Sequence, residues 1–98
     1  MSSALSLDLR DPAARPYFLW DEPNATVASF RAALARAGED DKARLLGKLM
    51  REARDEDVWL FTTVAEARAL MPKIDRYLGR RRAFWRYLLE AWQRHGLA

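Results

Sequence analysis

Three consecutive arginines, Arg80, Arg81 and Arg82, with Arg86 one turn further on, are the residues of this chain best suited to chemistry, and that chemistry is anion binding. If a helix starts near Arg80, its unpaired backbone N–H groups already make that end positive. Each guanidinium then opposes the helix dipole by about 0.3–1 kcal/mol, and a counter-charge is required. An external phosphate or carboxylate would serve, because a helix N-terminus ringed by guanidinium groups suits such anions. An internal source would also serve, with Asp55, Glu56 and Asp57, or Glu39, Asp40 and Asp41, laid against the arginines. Internal pairing or plain solvation is the ordinary outcome and is preferred. Fourteen arginines against three lysines mark a general arginine bias, so the identity of the cation says little.

Residues for bond making and breaking are missing from the pattern. The one histidine, His95, stands three positions from the end, where helices fray and neither a metal set nor a fixed base is held. Neither acidic triplet has the alternating ligands, glycine and distal glutamate of a calcium loop. No glycine-rich phosphate loop, nucleophile elbow or Ser/His/Asp set is present. With no cysteine there is no disulfide framework and no thiolate metal site. The expectation is a protein that is not an enzyme and holds no cofactor or metal.

The arginines need a helix to carry them, and Leu78 to His95 supplies one. Advancing about 100° per residue from Phe84, the side chains Phe84, Leu88, Trp92, Trp85 and Leu89 fall at roughly 0°, 40°, 80°, 100° and 140°. Arg82, Gln93, Arg86, Glu90 and Arg94 occupy the opposite arc from about 160° to 280°. Gly96 stops this helix. Gly79 either ends a preceding helix in the left-handed conformation or kinks a continuous one.

Upstream, residues 1–15 are small and polar with no sustained period, which predicts a flexible arm. Pro16-Tyr17-Phe18-Leu19-Trp20-Asp21 fits neither a helical stripe nor an alternating strand, so an extended segment is expected. Either Phe18 and Trp20, or Tyr17 and Leu19, complete the core, unless part stays exposed as a partner anchor. Thr26 is a suitable N-cap for a helix with Val27, Phe30, Leu34 and Ala37 inward, closed by Gly38. Glu39, Asp40 and Asp41 suit the start of a second helix, with Leu45, Leu46, Leu49, Met50 and Ala53 inward. Gly47 inside it costs about 1 kcal/mol relative to alanine, which implies close approach of another helix. Asp55 caps a short third helix. Thr63 to Glu66 reads as a capping box for a fourth, ending near Met71, with Pro72 opening another short helix through Ile74, Tyr77 and Leu78. Asn-Gly and Asp-Gly are absent and no alternation persists, so no β-structure is expected.

The fold class is therefore all-α, a compact bundle of five or six short helices with an extended N-terminal segment; residues 1–15 form the arm and 16–98 a single helical domain. No apolar run approaches the roughly 20 residues that span a bilayer, and no signal peptide is recognisable. A cytoplasmic protein is expected. The net charge of +3 is unevenly placed. Residues 1–72 carry 10 Lys/Arg and 12 Asp/Glu, whereas residues 73–98 carry 7 and 2, so the C-terminal quarter is basic and suited to an acidic partner or nucleic acid.

Three blocks carry a family resemblance: Pro16 to Asp21, reading PYFLWD; Leu46-Gly47-Lys48-Leu49-Met50-Arg51-Glu52-Ala53-Arg54; and Asp57-Val58-Trp59 followed by Phe61. Together they resemble a family of small all-helical bacterial proteins with a PYFLWD-type opening, often encoded beside nucleotidyltransferase toxins of the abortive-infection type. This resemblance implies an antitoxin or accessory partner that acts by direct protein contact. The expected contacts are Arg80, Arg81, Arg82 and Arg86, set against an acidic catalytic cleft or blocking its substrate, with Tyr17 and Trp59 as second choices. Charge reversal at Arg81 and Arg82 would then weaken the complex without unfolding the chain. The rival expectation is a nucleic-acid-binding adaptor or autoregulator using the same basic helix on phosphates. A structural subunit of a larger assembly is the third.

Overall fold

Ser6, Asp8 and Asp11 make the N-terminal residues fold rather than trail. The Ser6 hydroxyl accepts from the Asp8 N–H at 2.9 Å, the Asp8 carboxylate from the Arg10 N–H at 3.1 Å, and the Asp11 carboxylate from the Ala13 N–H at 3.0 Å. Each closes a local side-chain turn. The computed structural model describes residues 4–96, so residues 1–3 of the expected arm, and residues 97 and 98, lie outside the described residues. The rest of the arm is structured. Leu5–Ser6 (β1) pairs in parallel with Arg15–Pro16 (β2), Leu5 opposite Arg15 and Ser6 opposite Pro16, and Leu9 is buried. Periodicity carries no trace of this two-residue pairing, which is too short to alternate.

The first long helix, α1 (Val27–Arg36), explains why the segment is held. An α-helix leaves its first N–H groups without internal partners. Here the Val27 N–H donates to the Ala14 carbonyl at 3.0 Å and the Ala28 N–H to the Pro12 carbonyl at 2.9 Å. Thr26 caps the next as expected, and Ser29 returns the bond in a full capping box, with serine where glutamate is usual. Between these parts, Tyr17–Leu19 forms a turn of 3-10 helix rather than an extended segment. One turn points Phe18 and Leu19 inward together, both buried, while Trp20 is 57% exposed. Phe18 meets Phe30 of α1 edge to face at 5.2 Å. Gly38 does not use a left-handed conformation to end α1, because Ala37 leaves the helix in an extended one.

The chain divides into two compact units, Met1–Gly38 and Glu39–Ala98. The second unit begins with α2 (Glu39–Glu52), whose acidic first turn suits the positive end of its dipole. Ala43, Leu46, Leu49 and Met50 are buried along one face, with Leu45 at its edge. Helix α3 (Asp55–Val58) is a single turn preceded by Arg54 in the capping position, one residue before the aspartate expected there, with no side-chain cap. Helix α4 (Val64–Ile74) packs on α2 and is capped by Thr63, whose hydroxyl accepts from the Glu66 N–H at 3.1 Å. The Glu66 carboxylate goes instead to the Thr62 hydroxyl, at 2.6 Å, and to Lys42, so the expected box is half formed.

Pro72 lies inside α4 and opens no new helix. Its missing N–H falls in the last turn, where one bond is lost, and the helix runs on to bury Ile74. A 3-10 turn, Asp75–Tyr77, follows and crosses α2 at Gly47, where any Cβ would collide with the Cβ of Tyr77. Gly79, with φ of 55°, then reverses the path into a second 3-10 turn, Gly79–Arg81, and α5 (Arg82–Arg94). Among the described residues the structure is thus mostly helical, with one two-residue pairing of strands, and no helix is long and apolar enough to cross a membrane.

Candidate partner-binding site

Four neighbouring arginines around the start of α5 go to three different places. Arg81 turns inward to the end of α2, where Nη1 donates to the carbonyls of Met50 at 3.0 Å and Ala53 at 2.6 Å. Those oxygens lie at the negative pole of α2, so a cation there serves as a C-cap from a distant part of the chain. The Trp85 indole N–H donates to the same Met50 carbonyl at 2.7 Å, and the ring is fully buried. Arg82 and Arg86 turn to Asp75. Arg86 grips its carboxylate with two bonds of 2.7 Å, Nε to Oδ1 and Nη2 to Oδ2, while Arg82 Nε lies 3.3 Å from Oδ2 and donates to the Asp75 carbonyl at 3.3 Å. Arg80 alone of the four stays in solvent with no hydrogen bond or ion pair among the described residues.

The counter-charge is therefore internal, but it comes from Asp75 and the carbonyl end of α2. The two acidic triplets are occupied elsewhere. Asp40 and Glu39 meet Lys73 at 2.7 and 3.6 Å, and Asp57 meets Arg54 at 3.0 Å. The Arg86 hydrogen bond, helped by the charges of Arg86 and Arg82, holds the Asp75 carboxyl below its ordinary value, and Asp75 in turn raises Arg86. Both shifts favour the charged forms, which suits positioning more than proton transfer. No three of the His, Asp and Glu side chains gather into a metal-holding group among the described residues.

The buried stripe of α5 is narrower than its apolar pattern. Trp85 and Leu89 are buried, Leu88 and Trp92 half-buried, and Phe84, expected inside, is 41% exposed. The stripe centres near Trp85, about 100° round from Phe84, leaving Phe84 at its edge. Its ring meets Trp85 at 5.3 Å edge to face and lies under the Arg81 guanidinium at 5.1 Å. Tyr87 is 66% exposed, and Arg94 at the far end has no hydrogen bond or ion pair among the described residues.

Of the second-choice contacts, Trp59 is half-buried in an indole cluster, 5.8 Å from Trp85 and 5.4 Å from Trp92. Tyr17 belongs to the first unit and packs edge to face on Phe18 at 5.7 Å. The six expected contacts do not form one free patch, since Arg81, Arg82 and Arg86 serve the fold. Phe84, which its spacing placed on the buried face, Tyr87, and Trp20, for which burial and exposure as an anchor were both open, are the exposed aromatic side chains among the described residues. Tyr87 carried a signal: at roughly 300° it stands outside the apolar arc.

Beside this face, an open groove of about 520 Å³ is lined by Arg68, Met71, Pro72, Asp75, Arg86 and Glu90. The α5 surface as a whole joins exposed aromatic area to arginines unpaired among the described residues. Compared with known proteins, the chain matches no family model, no curated sequence and no solved structure.

Proposed function

We propose that this chain is a non-catalytic protein-binding module, an antitoxin or accessory partner of a nucleotidyltransferase-type toxin, acting by direct contact through the solvent face of α5. One observation carries the binding part: Phe84 and Tyr87 stand exposed on α5, with Arg80 in the turn before it and Arg94 at its end, neither arginine side chain paired among the described residues. Exposed aromatic side chains beside arginine are the composition of interface hot spots. The class of partner rests on the resemblance carried by Pro16 to Asp21 and the two blocks that follow it.

The free charge moves the test from Arg81 and Arg82 to Arg80. Reversing Arg81 would place a carboxylate against the Met50 and Ala53 carbonyls and disturb the fold itself. A tagged full-length chain, recovered from its native cells at moderate salt with nuclease, is expected to bring down a nucleotidyltransferase in stoichiometric amount. Tyr87→Ala with Arg80→Glu should lose it while the circular dichroism spectrum stays unchanged. The same two exposed aromatics beside arginines favour one second reading, a nucleic-acid adaptor that stacks bases on α5. Binding abolished by nuclease, with no protein partner left, would establish that reading instead.

A further inference from the structure

We infer that the occupant of the α5 face is an acidic amphipathic helix of the partner, laid along α5 with its apolar side chains on Phe84 and Tyr87 and its carboxylates at Arg80 and Arg94; this rests on the protein-binding reading above. Ala83, Phe84, Tyr87, Ala91 and Arg94 fall within an arc of about 100° and run roughly 15 Å from Phe84 to Arg94. Two aromatic knobs three residues apart, with an alanine beside each, offer ridges and a shallow groove that a second helix can enter. A peptide added as a β-strand would need an open sheet edge, which α5 does not supply.

Charge selects the sign of that helix. Arg82 and Arg86 already hold Asp75 and Arg81 the end of α2, so of the arginines from 80 to 94 those with no hydrogen bond or ion pair among the described residues are Arg80 and Arg94, one toward each end of the stripe. Glu90 lies on the neighbouring groove. A second copy of this chain fits poorly. In an antiparallel pairing of two α5 helices Arg80 would meet Arg94, and in a parallel one like would meet like. Nucleic acid fits less well too. Phe84 is covered on one side by Arg81 and on its edge by Trp85, which leaves Tyr87 as a single open ring, whereas base-stacking surfaces present successive ones.

The test uses the full-length ¹⁵N-labelled chain and three probes: a synthetic helical peptide of roughly 16 residues with leucines along one face and glutamates flanking them, its twin with every glutamate replaced by lysine, and a short oligouridylate. The acidic peptide is expected to shift the amides of Phe84, Tyr87, Ala91 and Arg94 saturably and to bind at least about tenfold more tightly than the lysine twin. Tyr87→Ala should weaken it, and Arg80→Glu with Arg94→Glu should transfer the preference to the twin. The side chains of Tyr87, Arg80 and Arg94 make no hydrogen bond, ion pair or ring contact among the described residues, so these variants are expected to keep the fold. Shifts elsewhere or nowhere, equal affinity for the twin, or tighter binding of the oligouridylate on this face would each overturn the inference. A partner protein that still binds the Tyr87 and Arg80 variants would overturn it while leaving the protein-binding reading intact. Peptide binding as expected, with no partner protein in the cell, would instead count against that reading alone.

Discussion

Arg80 and Arg81 are adjacent, identical in type and opposite in task. Arg81 places one nitrogen between two carbonyls at the end of α2 and its plane beside the rings of Phe84 and Trp85, at 5.1 and 5.4 Å. The Arg80 side chain is exposed and has no hydrogen bond or ion pair among the described residues. Since hydrogen bonds from a charged donor contribute about 1.5–3 kcal/mol when not fully exposed, Arg81→Ala should lower the unfolding free energy in urea by roughly 2 kcal/mol, whereas Arg80→Ala should stay within about 0.5 kcal/mol of the parent. Arg81→Lys should recover only part of the loss, because a point charge on a flexible stem does not reproduce the planar guanidinium that lies beside Phe84 and Trp85 while one of its nitrogens serves both oxygens. Equal effects at the two positions would remove Arg81 from its capping role. The arginine run itself was legible, as was its need for a counter-charge. Its destinations were not, because spacing along a helix gives the face of a side chain and not what the fold brings to that face; Asp75 stands alone and gives no cluster to notice.

Between elements, the contact of Gly47 with Tyr77 shows the same division. A glycine inside α2 announced a close approach, and the 3-10 turn Asp75–Tyr77 is what approaches. Alanine at 47 would gain about 1 kcal/mol in helix propensity but overlap the Tyr77 Cβ, an atom too near the backbone to swing aside. Gly47→Ala should therefore be destabilising by about 1–2 kcal/mol net, within the usual cost of overpacking. Tyr77→Ala retains the offending atom and should not relieve it; Tyr77→Gly should, and a double-mutant cycle in urea reads the difference. The turn carrying Tyr77 is also tied by Asp75. Because the Asp75 carboxyl is lowered in the folded chain, its contribution is complete above about pH 4, the ordinary carboxylate value, and is lost as pH falls below that through the lowered one. Asp40, lowered by Lys73, acts in the same window, while Lys73, raised by Asp40, contributes below about pH 10.4 and loses that contribution at higher pH. Melting temperatures followed from pH 6 to pH 2 should fall less steeply in Asp75→Asn than in the parent. The caps at Thr26 and Thr63 were readable because each lies within three residues of its target. The turn at Tyr17–Leu19, the passage of α4 through Pro72 and the holding of residues 12–14 by α1 were not, since each depends on a tertiary partner that no local period encodes.

At the scale of the whole chain, the net charge of +3 has its excess in the last quarter, but the charges there are not equally available. Asp75 offsets one of the two arginine charges it holds and the end of α2 draws a third arginine inward, so the side chains free to reach toward a partner are few, Arg80 and Arg94 among them. Exposed charge acts chiefly on the rate of encounter, whereas desolvated aromatic area acts on the rate of escape. With the acidic helical peptide as probe, Arg80→Ala with Arg94→Ala should slow association several-fold at low salt and leave dissociation nearly unchanged. The difference from the parent should shrink as ionic strength passes about 0.15 M, where screening acts within roughly 8 Å. Phe84→Ala and Tyr87→Ala should do the reverse, speeding dissociation with little change in association or in its salt dependence. Stopped-flow fluorescence on a labelled peptide separates the two rates. Were the arginine pair to change only dissociation, the two cations would be gripping the peptide at short range, and Asp75 would no longer explain why Arg82 and Arg86 leave the steering to their neighbours.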